Sequence, residues 1–269
     1  MGKSLIPAQR RQRIQELLDR DQVVQNGFLS EILQVSEATI RRDLDWLEQE
    51  GRLERTHGGA TLSQRMDLEP EYHYSAQAHP TEKAHIGALA AGLVEEGDVI
   101  FVNSGTTATQ VVRHIRERVD VTVITTNVSA VLEAPVNDDI ELVLLGGSYR
   151  ARARSVAGRF ATDCLRQVYA SKAFIGVDGI SFKYGYTTPM SAEAEIARLM
   201  IERTQGPVIV VADHSKWGVV ANFEIAQFDQ IQTIVTDEGL KPTVQAELVS
   251  RAVNVLIAKT PSIFEGQGG

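Results

Sequence analysis

Cysteine is nearly absent: Cys164 is alone in 269 residues. A single thiol makes no internal disulfide and no cysteine-based zinc site, which excludes secreted disulfide scaffolds and points to a reducing compartment, the cytoplasm. Aromatic residues are scarce at 6%, and no apolar run approaches the ~18 residues needed to cross a bilayer, so no membrane partner is expected. The stretch from Met1 to Arg13 holds no apolar segment of signal-peptide length, and Ile6 stands where N-myristoylation needs Ser or Thr. The six histidines show neither HExxH nor paired metal spacing, so neither metal nor cofactor is expected. What remains is a chain 43% apolar and 23% charged, able to bury a full core, at a length that suggests two domains of roughly 150 residues or fewer.

The formal charge of −8 argues against nucleic acid until its distribution is read. Ten basic and ten acidic side chains fall within residues 1–66, so the whole deficit lies beyond them. Nine of those ten bases are arginine, whose planar fork suits phosphates and guanine edges. A small DNA-contacting domain ahead of a larger acidic one is consistent with this split.

Helical spacing recurs at Ile14, Leu17 and Leu18, at Leu29, Ile32 and Leu33, and at Ile40, Leu44 and Leu47. Between the second and third runs, Gln34-Val35-Ser36 is a tight turn ending in an N-cap serine, with Glu37 at the positive helix start. The spacing predicts a helix-turn-helix. After Gly51, the run Arg52 to Ala60 reads as two short strands about Gly58-Gly59, a β-wing. On the third helix the apolar stripe leaves Ala38 and Arg42 on the opposite face, flanked by Thr39 and Arg41. That small, basic end suits a major groove. Ser36, Ala38, Thr39, Arg41 and Arg42 are the expected contacts to DNA, with Arg55, His57 and Gly58 on the wing and Arg55 meeting a phosphate.

From about residue 83 the pattern alternates. Val99–Val102, Val121–Thr125, Glu141–Leu145, Ala173–Val177, Val208–Ala212, Thr233–Thr236 and Asn254–Ile257 are β-branched or apolar runs, with helical stretches at 83–95, 106–118, 157–168 and 191–204 among them. The expected class is α/β: an N-terminal winged helix-turn-helix, then a doubly wound, mostly parallel sheet. The expected division is 1–62 for DNA binding, 63–82 as a linker with room for a connecting helix or strand, 83–259 as effector domain and 260–269 as a disordered tail. Several polar or glycine-rich motifs follow strands, where an open α/β sheet keeps its ligand crevice. They are Asn103-Ser104-Gly105-Thr106-Thr107, Thr126-Asn127, Gly146-Gly147, Gly176 to Asp178, and Asp213 to Lys216. The first opens a helix and suits an anion. Arg150 and Lys216 would add positive charge, and Asp178 and Glu193 would accept hydrogen bonds from sugar hydroxyls.

The string Val35 to Leu44, followed by Leu47, Gly51, Arg55 and His57-Gly58-Gly59-Ala60, resembles the N-terminal signature of the DeoR family of bacterial transcriptional regulators. The strand-end motifs, including Gly146 to Arg150 and Asp213 to Gly218, stand in the order of that family's effector domain. The resemblance covers about residues 7–258. It implies a repressor of carbohydrate genes that binds operator DNA as a homodimer or homotetramer and answers to a phosphorylated sugar. The chain departs from the family pattern at Ser75 and Ala197, where the family often carries a cation. The second domain also resembles ribose-5-phosphate isomerase, through Ser104-Gly105-Thr106, Glu193 and Asp213 to Lys216, which leaves an enzyme as the alternative. Against turnover, Ile175 replaces the first carboxylate of that enzyme's Asp-Gly-Ala-Asp turn.

Overall fold

The computed structural model describes residues 5–56, 58–115, 120–135 and 139–259. The expected wing residue His57 and the tail from 260 lie outside them.

Proline at the first helical position and left-handed Gln22 at the end bound α1 (Pro7–Asp21). A short strand that periodicity had not indicated, β1 (Val23–Gln25), leads into α2 (Asn26–Leu33). Left-handed Gln34 then turns the chain so that Ser36 caps α3 (Glu37–Gln49), accepting a hydrogen bond from Thr39 N at 3.3 Å. The wing strands β2 (Leu53–Thr56) and β3 (Gly59–Leu62) complete an antiparallel sheet of order β1-β3-β2. Ile14, Leu18, Leu29, Ile40, Leu44 and Leu47 form a separate core beneath it.

Two of the nine arginines serve the fold. Arg10 and Arg11 both donate through Nε to the carboxylate of Asp43, the second at 3.0 Å, clamping α1 to α3. Asp43 is buried, so the ion pair is shielded from solvent.

The expected linker carries structure of its own: β4 (Gln64–Met66) and α4 (Tyr72–Gln77) precede α5 (Pro80–Ala91). The larger unit then runs β5 (Val99–Val102), α6 (Thr106–His114), β6 (Val121–Thr125), α7 (Val128–Glu133), β7 (Ile140–Leu144), β8 (Ser148–Arg150), β9 (Ser155–Ala157) and α8 (Arg159–Leu165). It continues β10 (Lys172–Gly176), β11 (Gly179–Ser181), β12 (Gly185–Thr188), α9 (Ser191–Glu202), β13 (Val208–Val211), β14 (Val219–Ala221), β15 (Phe223–Ala226), β16 (Thr233–Asp237), α10 (Pro242–Ser250) and β17 (Asn254–Ala258).

Seven of these strands form one parallel sheet in the order β17-β16-β13-β10-β5-β6-β7. The central runs such as Val99–Val102 and Val208–Val211 are apolar because helices cover both faces, whereas edge strand β7 carries Glu141 and is partly exposed. Ile100, Val102 and Val123 pack under α5, α6 and α7, while Phe101, Ile175 and Val210 pack under α8, α9 and α10. Gly87 allows α5 to lie against α6, since a Cβ there would come within 2.3 Å of Gln110 Cβ. The strand order reverses direction between β5 and β10, and a crevice opens at the carboxyl ends of strands at such a switch point.

The two units touch. β4 pairs in parallel with β14, Ser181 on β11 donates its hydroxyl to buried Glu54 on β2, and Lys183 Nζ lies 3.3 Å from Glu48 on α3. Burial raises the pKa of Glu54 above the usual carboxylate range, against the lowering effect of the Ser181 and Ser63 hydroxyls.

Candidate functional site

At the switch point, Asn103 joins the two strand-end loops: its Nδ2 donates to Gly176 O at 2.9 Å, and Gly176 N donates to its Oδ1 at 2.7 Å. Gly105 then takes a φ of +120°, a conformation open to glycine, and turns the chain into α6. The first-turn amides of α6 have no acceptor within the helix, which makes this end an anion site. A cleft of about 690 Å³, counting its open mouth, lies in front of it. Ser104, Thr106, Thr107, Gly176, Asp178, Thr188, Glu193 and Lys216 line that cleft.

The cleft holds charges of both signs. Lys216 follows β13 through a short 3₁₀ turn and makes no ion pair among the described residues. Facing the cleft are three carboxylates. Glu193, in the first turn of α9, accepts hydrogen bonds from the Ser104 hydroxyl, from Arg150 and from the Ser155 hydroxyl at 2.6 Å. Glu69 accepts from the second Arg150 nitrogen at 2.5 Å. Asp178 accepts from Thr188 Oγ1 at 2.8 Å. Burial pushes the carboxyls of Asp178 and Glu69 above the usual range, although Lys216 draws the first down and Arg150 the second.

A supporting layer stands behind the cleft. Asp213 is fully buried, caps the turn that carries Lys216 through Ser215 N at 3.0 Å, and lies 3.8 Å from buried Lys83 Nζ. Burial opposes its charge, yet the Ser215 hydroxyl, Lys216 and Lys83 together hold its pKa below the usual range. Lys83 donates to the carbonyls of Ser75 and Ala78 at 2.5 and 2.6 Å, and desolvation lowers its pKa. This cation therefore ties the connecting segment to the sheet.

At the other end of the molecule, Ser36, Ala38, Arg41 and Arg42 are exposed on one end of α3, with Thr39 partly so. Arg41 reaches Glu37 at 3.3 Å. Arg42 has no ion pair or hydrogen bond among the described residues. A helix end with small side chains, two arginines and its own capped N-terminus fits a major groove.

Two family models match this architecture: the DeoR-like helix-turn-helix domain over residues 10–66 and the DeoR C-terminal sensor domain over 78–238. The chain belongs to the DeoR family. It is a DNA-binding transcriptional regulator. Among its relatives, an uncharacterized HTH-type transcriptional regulator of Haemophilus influenzae is 31% identical over 96% of this chain and 100% of its own. The transcriptional repressor AccR of Agrobacterium fabrum is 34% identical over 88% of this chain and 92% of its own. Among solved structures, ribose 5-phosphate isomerase A of Methanocaldococcus jannaschii aligns with 52% of this chain and 55% of its own at 20% identity and a TM-score of 0.38, too distant to support an inference.

In this DeoR-family regulator the expected effector residues divide by position. Asn103, Ser104, Gly105, Thr106, Thr107, Gly176, Asp178, Glu193 and Lys216 line one cleft. Thr126, Asn127, Gly146, Gly147, Arg150 and Asp213 do not. Asn127 is buried behind the phosphate-type loop, donating to Gly105 O at 3.1 Å and Thr109 Oγ1 at 3.0 Å while capping α7 through Ala130 N. Thr126 is buried with it, and Gly146 and Gly147 are exposed before β8. Arg150, expected to hold a phosphate, has both terminal nitrogens on carboxylates. On the wing, Arg55 is drawn back toward Asp45 of α3 at 3.5 Å and is half-buried, whereas Gly58 is exposed at the turn.

Glu69, Tyr72, Ala153 and Thr188 line the cleft without having been singled out, and Ser75, noted only as a departure from the family pattern, lines it with them. Glu69, Tyr72 and Ser75 lie in the segment read as linker. Tyr72 is buried there, its hydroxyl 3.1 Å from Thr109 Oγ1, and Pro70 with an aromatic two residues later was the one local signal of an ordered segment.

Proposed function

We propose that this regulator is a cytoplasmic repressor of a carbohydrate operon whose cleft binds a phosphorylated sugar, and that this binding alters its affinity for operator DNA. The observation that carries the reading is the polarity of the cleft. Its lining combines the N-terminal residues of α6, Thr106 and Thr107, and Lys216, which makes no ion pair among the described residues, with the carboxylates of Glu69, Asp178 and Glu193. A phosphate fits the first group and a row of hydroxyls the second, since ionised partners make the stronger hydrogen bonds. In this reading residues 1–62 bind DNA, 83–259 bind the effector, and 63–82 join them while contributing to the cleft. The sign of regulation follows the printed name of the Agrobacterium relative. The cytoplasmic assignment is supported by the single cysteine, and no helix among the described residues is long and apolar enough to cross a membrane.

A sensor rather than an isomerase is favoured by two residues. Ile175 is a fully buried strand residue in β10, and Glu193, where a general base would stand, is held by two serine hydroxyls and Arg150. A homodimer or homotetramer is favoured because helix-turn-helix proteins read two-fold-related half-sites.

The test is a thermal-shift screen of the full chain against sugar phosphates, their parent sugars and inorganic phosphate, followed by operator titration on DNA selected from a random pool. A true effector at 100 times its Kd stabilises by about 2.7 kcal/mol, and is expected to shift operator affinity by ~1–3 kcal/mol without being consumed. Sustained aldose–ketose interconversion that disappears in Glu193→Gln would establish the enzyme instead.

A further inference from the structure

The acidic lining of the cleft holds more negative charge than the one cation beside it balances. Glu69, Asp178 and Glu193 all line the cleft, and Arg150 stands beside them. The guanidinium is spent: one terminal nitrogen is on Glu193 and the other on Glu69. Its side chain is 16% exposed, and the side chain of Glu69 14%. The third carboxylate, Asp178, accepts from a neutral hydroxyl, Thr188. The charges of Glu193 and Asp178 both push the carboxyl of Glu69 up, and that of Glu193 pushes up Asp178. The same cleft also holds the first residues of α6 and Lys216, which makes no ion pair among the described residues. Of the three acids, Glu69 alone comes from the segment joining the two units, outside the central sheet and its helices.

We propose that Glu69 is a specificity-determining residue of the cleft: by completing, with Glu193, the neutralisation of Arg150 it leaves the acidic lining to repel a second anionic group. The site therefore takes a polyol with one phosphate and hydroxyls at its other end, and rejects bisphosphates and phosphorylated sugar acids. This rests on the cleft being a sugar-phosphate site. The physical basis is a difference of affinities. Hydroxyls donate to Glu69, Asp178 and Glu193, whereas a second phosphate meets like charges in a partly desolvated wall and finds its natural partner, Arg150, already taken.

The experiment is calorimetric titration of the full-length wild type, Glu69→Gln and Glu69→Asp with inorganic phosphate, fructose 6-phosphate and fructose 1,6-bisphosphate, each variant first checked by thermal melting. Wild type is expected to bind the monophosphate at least about tenfold tighter than the bisphosphate. Glu69→Gln releases one Arg150 nitrogen from its carboxylate, the other staying on Glu193, and removes one like charge, so the ratio falls to within about threefold, mainly through tighter bisphosphate binding. Glu69→Asp keeps the charge and the preference; a residue that merely braced the connecting segment would weaken both ligands alike. Equal wild-type affinity for the two sugars overturns the proposal, as does an unchanged ratio in Glu69→Gln, and the first result stands even where the variant does not fold. Absence of any sugar-phosphate binding to wild type overturns the effector reading itself and this inference with it.

Discussion

Asn103 and Gly176 exchange two hydrogen bonds across the point where the sheet reverses direction, at 2.9 and 2.7 Å. One side-chain amide thus sets the spacing between the loop that opens α6 and the loop that carries Asp178. Asn103→Asp keeps the acceptor for Gly176 N but sets an oxygen against Gly176 O. Urea denaturation is expected to show a loss on the order of 1–3 kcal/mol. Ligand affinity at the cleft should fall as well, because the two loops lose their common support.

A second prediction concerns the buried clamp in the winged domain. Arg10 and Asp43 have side chains only 8% and 3% exposed. Arg10→Ala leaves Asp43 with Arg11 as its remaining cation and should destabilise the domain by roughly 3–5 kcal/mol, the usual cost of breaking a buried pair. Operator binding should be lost through unfolding rather than through a missing contact. Hydrogen exchange distinguishes the two, since protection should vanish across α1 and α3 while the parallel sheet stays protected.

On α3, Arg42 makes no ion pair or hydrogen bond among the described residues, and Arg41 is shared with Glu37. Replacing either by Ala should cost ~1–3 kcal/mol of operator affinity where the side chain reads a base. Stability should move by less than about 0.5 kcal/mol, because both are exposed. Unchanged affinity in both variants would remove α3 from the interface.

Arg55 yields the opposite kind of prediction. It is pulled back by Asp45, so Asp45→Asn should release it toward a phosphate. Fluorescence anisotropy across a salt series is expected to show tighter operator binding and a slope steeper by about one unit. A slope that does not change would leave Arg55 as a wing support.

The contact between wing and sheet domain should report pH through Glu54. Its carboxyl is buried against Ser181 and has a pKa raised above the unfolded value. The folded state therefore holds this proton more tightly than the unfolded state does. The stability associated with it is fully present below the unfolded pKa and is lost as pH rises through the raised folded pKa. Glu54→Gln mimics the protonated form and retains both serine partners. It should be more stable than wild type at neutral pH, with the difference shrinking on acidification below the ordinary glutamate range. Parallel stability–pH curves for the two proteins would show that Glu54 does not titrate at this contact.

The sequence by itself determined the elements whose order is local. The strand residues Val99–Val102, Val121–Thr125 and Val208–Val211 are legible because a parallel strand buried on both faces is a run of apolar and β-branched residues. The third helix is legible because Ser36 caps it and Ile40, Leu44 and Leu47 share one face. The anion loop from Ser104 to Thr107 shows itself for the same reason: strand, glycine and helix start are consecutive. Strands of three residues such as β1 and β4 carry no period, and α10 has only Val244 and Leu248 buried, too few to mark a face. Only tertiary structure decided which strand-end side chains meet a ligand. Asn127 and Asp213 occupy the same edge of the sheet as Thr106 and Lys216, yet both are fully buried and hold up the loops in front of them. It also decided the fate of the charges. Arg10 finds Asp43 33 positions away, and Arg150 finds Glu69 81 positions away. Local spacing reports which face of its own element a residue occupies, but an ion pair between distant segments exists only once packing has brought them together and removed the water between them.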